Sequence, residues 1–145
     1  MGSGENKAIV QRFFAEVINK RNAAVIDELF ASNYTHHDAA APTELQQSRD
    51  GYKQLILGFL AAFPDLTMKV ENWIVEGDKV VALWSWRATH TGPLGPIPPT
   101  GKKVLGMGID IRRITNGKIV EGWVGYDTMS MMQQLGLVPP AGPGN

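Results

Sequence analysis

The sequence predicts an α+β domain in which a curved antiparallel sheet wraps as a cone around N-terminal helices and encloses an apolar pocket. Two observations carry this class. Apolar residues recur at helical spacing as far as Phe63 and at alternate positions beyond Leu66, so helices and strands are segregated along the chain. The extended stretches are joined by tight-turn signals and one proline-rich loop, which return each strand antiparallel to its neighbour.

Element by element, Val10, Phe13, Phe14, Val17 and Ile18 form one stripe of a helix spanning residues 5–20. Asn22 is placed to cap a short second helix that buries Ile26, Leu29 and Phe30. Residues 32–47 read as irregular, with three successive alanines and Pro42. Ser48 suits the cap of a third helix carrying Tyr52, Leu55, Ile56, Phe59, Leu60 and Phe63, ended by Pro64-Asp65. Strands follow over residues 66–75, with Leu66, Met68, Val70 and Ile74 inward, and over residues 79–91. The prolines of residues 92–99 exclude a central strand. Residues 104–114 and 119–126 form a hairpin about Asn116-Gly117, where both turn positions require positive φ. Asp127 caps a last helix over residues 128–135, and Gly136 stops it.

The 145 residues suit one domain, with residues 1–4 and 139–145 loose at its ends. Fourteen basic and fourteen acidic residues cancel, which gives no electrostatic footprint for nucleic acid or an anionic membrane. Without cysteine there is no thiolate metal site, disulfide or cysteine nucleophile. No apolar run approaches the roughly 20 residues that span a bilayer, and the N-terminus lacks the features of a signal peptide. The expectation is a soluble cytoplasmic protein that takes a hydrophobic small molecule.

Alternation divides the strands into faces. Trp84, Trp86, Ala88 and His90 share the pocket side of the second strand, and Gly106, Gly108 and Asp110 that of the third. On the fourth, Val120, Gly122 and Val124 oppose Glu121 and Trp123, so Trp123 points outward to a sheet face suited to a second subunit. Asp110, between two isoleucines, is the leading candidate: burial raises a carboxyl pKa and prepares a general acid or base. The bland alternative pairs it with Arg112 or Arg113, and the two glycines beside it are read as room for a guest. Tyr34-Thr35-His36-His37-Asp38 forms a second cluster, in which one of His36 and His37 faces inward and partners Asp110. His90 opens the proline loop, Tyr126 and Asp127 border the cavity, and Asp127 also serves as a helix cap. A metal held by His36, His90 and Asp110 lacks recognisable ligand spacing, and none is expected.

Several motifs together carry a resemblance: Phe63-Pro64-Asp65-Leu66, Val75-Glu76-Gly77-Asp78-Lys79-Val80-Val81, Thr89-His90-Thr91-Gly92, Ile97-Pro98-Pro99-Thr100-Gly101-Lys102, Gly117-Lys118-Ile119-Val120-Glu121 and Gln133-Gln134-Leu135-Gly136. From about Asn6 to Pro139 the chain resembles the SnoaL-like polyketide cyclases, an ester-cyclase group within the nuclear-transport-factor-two superfamily. The resemblance implies a curved α+β cone, cofactor-free chemistry and a homodimer. It also implies an intramolecular aldol closure in which an aspartate takes a proton α to a carbonyl. In that group the acid-bearing run continues with a histidine and an aspartate, where this chain has Gly122 and Val124. Asp110 lies where some cyclases have a pocket histidine, His36 matches a pocket amide, and His37 a histidine of unassigned relatives.

The expected function is therefore cofactor-free general acid/base catalysis on an apolar carbonyl compound, as a cyclase or related isomerase. Asp110, His36 and His37 are the candidate catalytic groups. Trp84, Trp86, His90, Gly108, Gly122, Val124, Tyr126 and Asp127 are the candidate pocket residues. Two alternatives stand beside it: an epoxide hydrolase recruiting Asp110, Arg112 and Asp127, and a non-catalytic binding cone, natural or re-engineered.

Overall fold

Residues 2–139 are described here, in a computed structural model; the loose tail expected at residues 139–145 lies outside them apart from Pro139. Helix α1 (Ser3–Arg12) starts inside the stretch expected to be loose and runs on into a π-helical segment, Phe13–Asn19. All five residues of the predicted stripe are buried, each fully buried side chain contributing roughly 1.5–3 kcal/mol. Asn19 ends the segment by donating to and accepting from the backbone of Met68, both at 2.9 Å, which docks the helix on an edge strand.

A 3₁₀ turn (Ala23–Val25) leads into α2 (Ile26–Leu29); Asn22 precedes the turn, but its side chain caps nothing. The chain then departs from the sequence expectation. Phe30–His37 is not irregular but a fifth strand, β1, and Phe30 belongs to it rather than to the second helix. After a second 3₁₀ turn (Thr43–Gln46), α3 (Arg49–Ala62) begins at Ser48, whose hydroxyl accepts from the Gly51 N–H as predicted. Strands β2 (Thr67–Glu76), β3 (Lys79–Thr89), β4 (Lys103–Thr115) and β5 (Lys118–Tyr126) follow, then α4 (Thr128–Gln134). Gly136 has the left-handed φ of the predicted stop.

The sheet is curved and unclosed, in the order β1-β5-β4-β3-β2. It is antiparallel except at β1, which runs parallel to β5. Two irregularities shift the predicted faces. A slip between Val70 and Asn72 turns Trp73 inward against Phe14 and leaves Ile74 61% exposed. A second slip, where Arg113 pairs with Glu121 but Ile114 with Ile119, buries Ile119 instead of Val120. Each extra residue moves the side chains beyond it to the other face.

Candidate active site

The cone encloses a cavity of about 580 Å³. Its walls are largely apolar, from α3 (Leu55, Phe59), β3 (Trp84, Trp86) and α4 (Met131, Met132), with the loops at residues 38–45 and 93–97 at its rim. At its polar end stand His36, Asp38, Tyr52, Asp110 and Arg112.

Sheet register positions these groups. Across β5 and β4, His36, Gly122 and Arg112 lie in one row; in the next row Asp110 pairs with Val124. Arg112 is 2% exposed, and its guanidinium carbon lies 5.0 Å from the Phe13 ring centroid and 5.2 Å from that of Tyr52. One terminal nitrogen, Nη2, donates both to the Tyr52 hydroxyl at 2.9 Å and to Asp110 Oδ2 at 3.1 Å. The other, Nη1, donates to the Tyr34 hydroxyl. The Tyr34 oxygen lies 2.7 Å from His36 Nδ1. With that oxygen accepting from Arg112, the tautomer in which Tyr34 donates to Nδ1 satisfies both groups and leaves the proton of the neutral His36 ring on Nε2.

Electrostatics follow from burial. Desolvation pushes the Asp110 carboxyl above its ordinary value, against the pull of Arg112. Desolvation also dominates at His36, and with the Arg112 charge lowers it to about 3, so the ring is neutral at physiological pH. Tyr52 is raised to about 12, again by burial. Asp110 Oδ1 is buried without a hydrogen-bond partner, as is Trp84 Nε1.

Asp110 thus faces the cavity as expected and also makes the ion pair of the bland alternative. His36 lines the cavity too, but Tyr34 holds it rather than Asp110. His37 does not: it points outward, half-exposed, with Nε2 2.8 Å from Glu121 and its ring stacked on Trp123. Trp84, Trp86, Val124 and Tyr126 line the cavity. The glycines do not leave room for a guest. A Cβ on Gly108 would lie 2.3 Å from the Trp84 ring, and one on Gly106 would lie 2.3 Å from Trp86 Nε1. The two indoles lie down on these glycines and fill the space. Gly122 likewise accommodates the Tyr34 hydroxyl and Arg112, 2.2 and 2.7 Å from where its Cβ would be.

His90 is fully buried behind the cavity wall, where Nδ1 accepts from the Thr100 N–H at 3.2 Å and fastens the proline loop. Asp127 caps α4, accepting from the Ser130 N–H at 2.8 Å, and is absent from the lining. Among the described residues no three metal-ligating side chains come together, so His36, His90 and Asp110 form no metal centre. Three site groups had no leading role in the sequence: Arg112 entered only as a pairing partner for Asp110 and in the epoxide-hydrolase alternative, Asp38 only within the histidine cluster, and Tyr52 only on the stripe of the third helix. Arg112 had a signal, being two residues from Asp110 on the same strand face. Asp38, its carboxyl also raised by burial, had one only as a neighbour of the histidines. Tyr52 had none beyond its place on the buried side of α3.

An open α+β cone whose apolar chamber ends in a buried Asp–Arg–Tyr–His network has the nuclear-transport-factor-two-like fold. The sequence profile of the SnoaL-like polyketide cyclases matches residues 8–135, and the chain belongs to that family. Among solved structures, AclR from Streptomyces galilaeus, described as a candidate hydroxylase, is 26% identical over 98% of this chain and 87% of that one, with a TM-score of 0.85. A candidate polyketide cyclase from Acidithiobacillus ferrooxidans is 31% identical over 93% and 97%, with a TM-score of 0.82. IdmH from Streptomyces antibioticus, also described as a candidate polyketide cyclase, is 28% identical over 90% and 98%, with a TM-score of 0.76. No curated protein matches. No helix among the described residues is long and apolar enough to cross a membrane.

Proposed function

We propose that this protein is an enzyme that removes a proton α to a carbonyl of an apolar substrate, as a cyclase of the aldol type or a related isomerase. Asp110 is the base and neutral His36 a hydrogen-bond donor at the same end of the pocket. One observation carries this reading: Asp110 is buried in the cavity wall with one carboxylate oxygen fixed by Arg112 and the other unpartnered. A purely structural ion pair leaves no oxygen unsatisfied, whereas a base keeps one free; Oδ1 is covered by its neighbours, so a small rotation of the carboxyl group brings it to the substrate. The family's histidine and aspartate are replaced consistently with this. Arg112 and Tyr34 take the space that Gly122 leaves, and the carboxyl group moves from position 124 to its cross-strand partner Asp110.

The test is α-proton exchange of 2-tetralone in heavy water, followed by NMR. Wild-type protein accelerates exchange over buffer, and Asp110→Asn removes the acceleration, a loss of roughly 10²–10⁴. Equal exchange in the two proteins would rule out Asp110 as base. Because burial raises the Asp110 pKa, the active carboxylate form is lost as pH falls. The acidic limb of kcat/KM therefore lies above the range of an exposed aspartate.

Asp38, a second carboxyl in the same cavity, favours epoxide hydrolysis as the alternative. Heavy-oxygen water separates the two, since ring closure by aldol addition incorporates no label from solvent into a new hydroxyl.

A further inference from the structure

We infer that Tyr52 is a catalytic residue: its phenol O–H donates to the carbonyl oxygen of the substrate whose α-proton Asp110 removes, and Arg112 is the positioning residue that sets the two apart. The inference rests on the proton-abstraction reading above and adds the group that receives the charge. Tyr52 lines the cavity, and its oxygen accepts from Arg112 Nη2. The same nitrogen holds Asp110 Oδ2. Among the described residues the Tyr52 proton has no acceptor and Asp110 Oδ1 has no donor. One guanidinium nitrogen therefore holds the Tyr52 hydroxyl, with its spare proton, and the Asp110 carboxylate together, and both residues line the chamber. A C–H next to a C=O is the ligand chemistry that engages both. A phenol whose oxygen already accepts from a cation is polarised toward donation. His36, its ring centroid 4.5 Å from that of Tyr52, brings its Nε2–H to the same end.

The step balances without a co-reactant. The Asp110 carboxylate takes the α-proton, and the C–H electron pair becomes the C=C bond of the enolate. The carbonyl π pair moves to oxygen, where Tyr52 O–H and His36 Nε2–H hydrogen-bond the oxyanion without transferring a proton. The enolate carbon then attacks a second carbonyl of the substrate or takes the proton back.

Two readouts test this. In 2-tetralone exchange, Tyr52→Phe lowers kcat by about 10²–10³ with KM little changed, as for loss of an oxyanion donor. If exchange is lost in Asp110→Asn but kept in Tyr52→Phe, the base stands and Tyr52 falls. If wild type shows no exchange, the base reading fails, and the second readout still decides Tyr52. That readout uses 2-naphthol, whose anion has the shape of the 2-tetralone enolate, bound to Asp110→Asn, whose amide mimics the protonated carboxyl. Adding Tyr52→Phe weakens naphtholate binding by about tenfold or more, as expected for one hydrogen bond to a charge, and leaves 2-methoxynaphthalene binding unchanged. Equal weakening of both ligands, or naphthol bound only in its neutral form, overturns the inference. Should Tyr52→Phe not fold, Asp110→Asn with carbon-labelled tyrosine serves instead. Naphtholate shifts the Tyr52 phenol carbon resonance if that hydroxyl donates to it, and an unmoved resonance overturns the inference.

Discussion

At the scale of single residues, the site is governed by who shares whose hydrogen bond. His36 is the plainest case: its pKa falls from 6.5 to about 3 because burial and the Arg112 charge disfavour the imidazolium. The unfolded chain then binds the extra proton between those two values and the folded chain does not. Stability from this group is complete above pH 6.5 and drains away as pH falls toward 3, at up to about 1.4 kcal/mol per pH unit. Urea unfolding of wild type and His36→Gln across pH 4–7 measures it, and the wild-type curve should be the steeper. Gly122 is the second case. Gly122→Ala drives a methyl into the Tyr34 hydroxyl and Arg112, both buried and both hydrogen-bonded, and costs about 1–3 kcal/mol of stability as overpacking does. A neutral result in thermal unfolding would mean that the network shifts freely.

At the scale of elements, the helices are fastened to the sheet by side chains that stand in for a missing strand. Asn19 does this for the edge strand β2 at Met68. Gln134 does it for the end of β4, donating to the Leu105 carbonyl at 2.7 Å while its own carbonyl accepts from the Leu105 N–H at 2.9 Å. Asn19→Ala removes two hydrogen bonds in partly buried surroundings, so a loss of about 1–3 kcal/mol is expected. Hydrogen exchange should show the Met68 amide opening first, since it alone loses its acceptor. The bulges belong to this scale too. They set which side chains of β2 and β5 face the helices, and the Val120 slip keeps Gly122, Val124 and Tyr126 on the cavity side.

At the scale of the whole molecule, the sheet has two faces of different use. The concave face builds the chamber. The convex face exposes Leu105 at 66%, Met107 at 52% and Ile109 at 44% along one strand. With no net charge to keep copies apart, a second copy of this chain is the expected occupant, pairing strand face to strand face. Light scattering tests this: wild type should run as a dimer and Met107→Glu as a monomer with its exchange activity retained. A wild-type monomer at all concentrations would refute the pairing.

Local periodicity determined much of this protein: the stripes of the first and third helices, four of the five strands, the Asn116-Gly117 turn, the Ser48 and Asp127 caps, and Asp110 on the concave face. These depend on neighbours a few residues away, and a sequence displays such neighbours directly. Only the tertiary structure decided the rest. β1 was hidden because its inward residues, Phe30, Tyr34 and His36, are interrupted by the exposed Ser32 and end in a histidine pair, and its pairing skips between Phe30 and Thr35. Once the stretch is a strand, alternation from the buried Phe30 puts His36 inward and His37 outward. Whether a glycine is a void or a seat for an indole depends on a strand about twenty residues away in sequence. Whether Asp110 is free or paired depends on a guanidinium fixed by phenols from β1 and α3. Burial and long-range hydrogen bonding assign chemistry here, and both exist only once the chain has closed on itself.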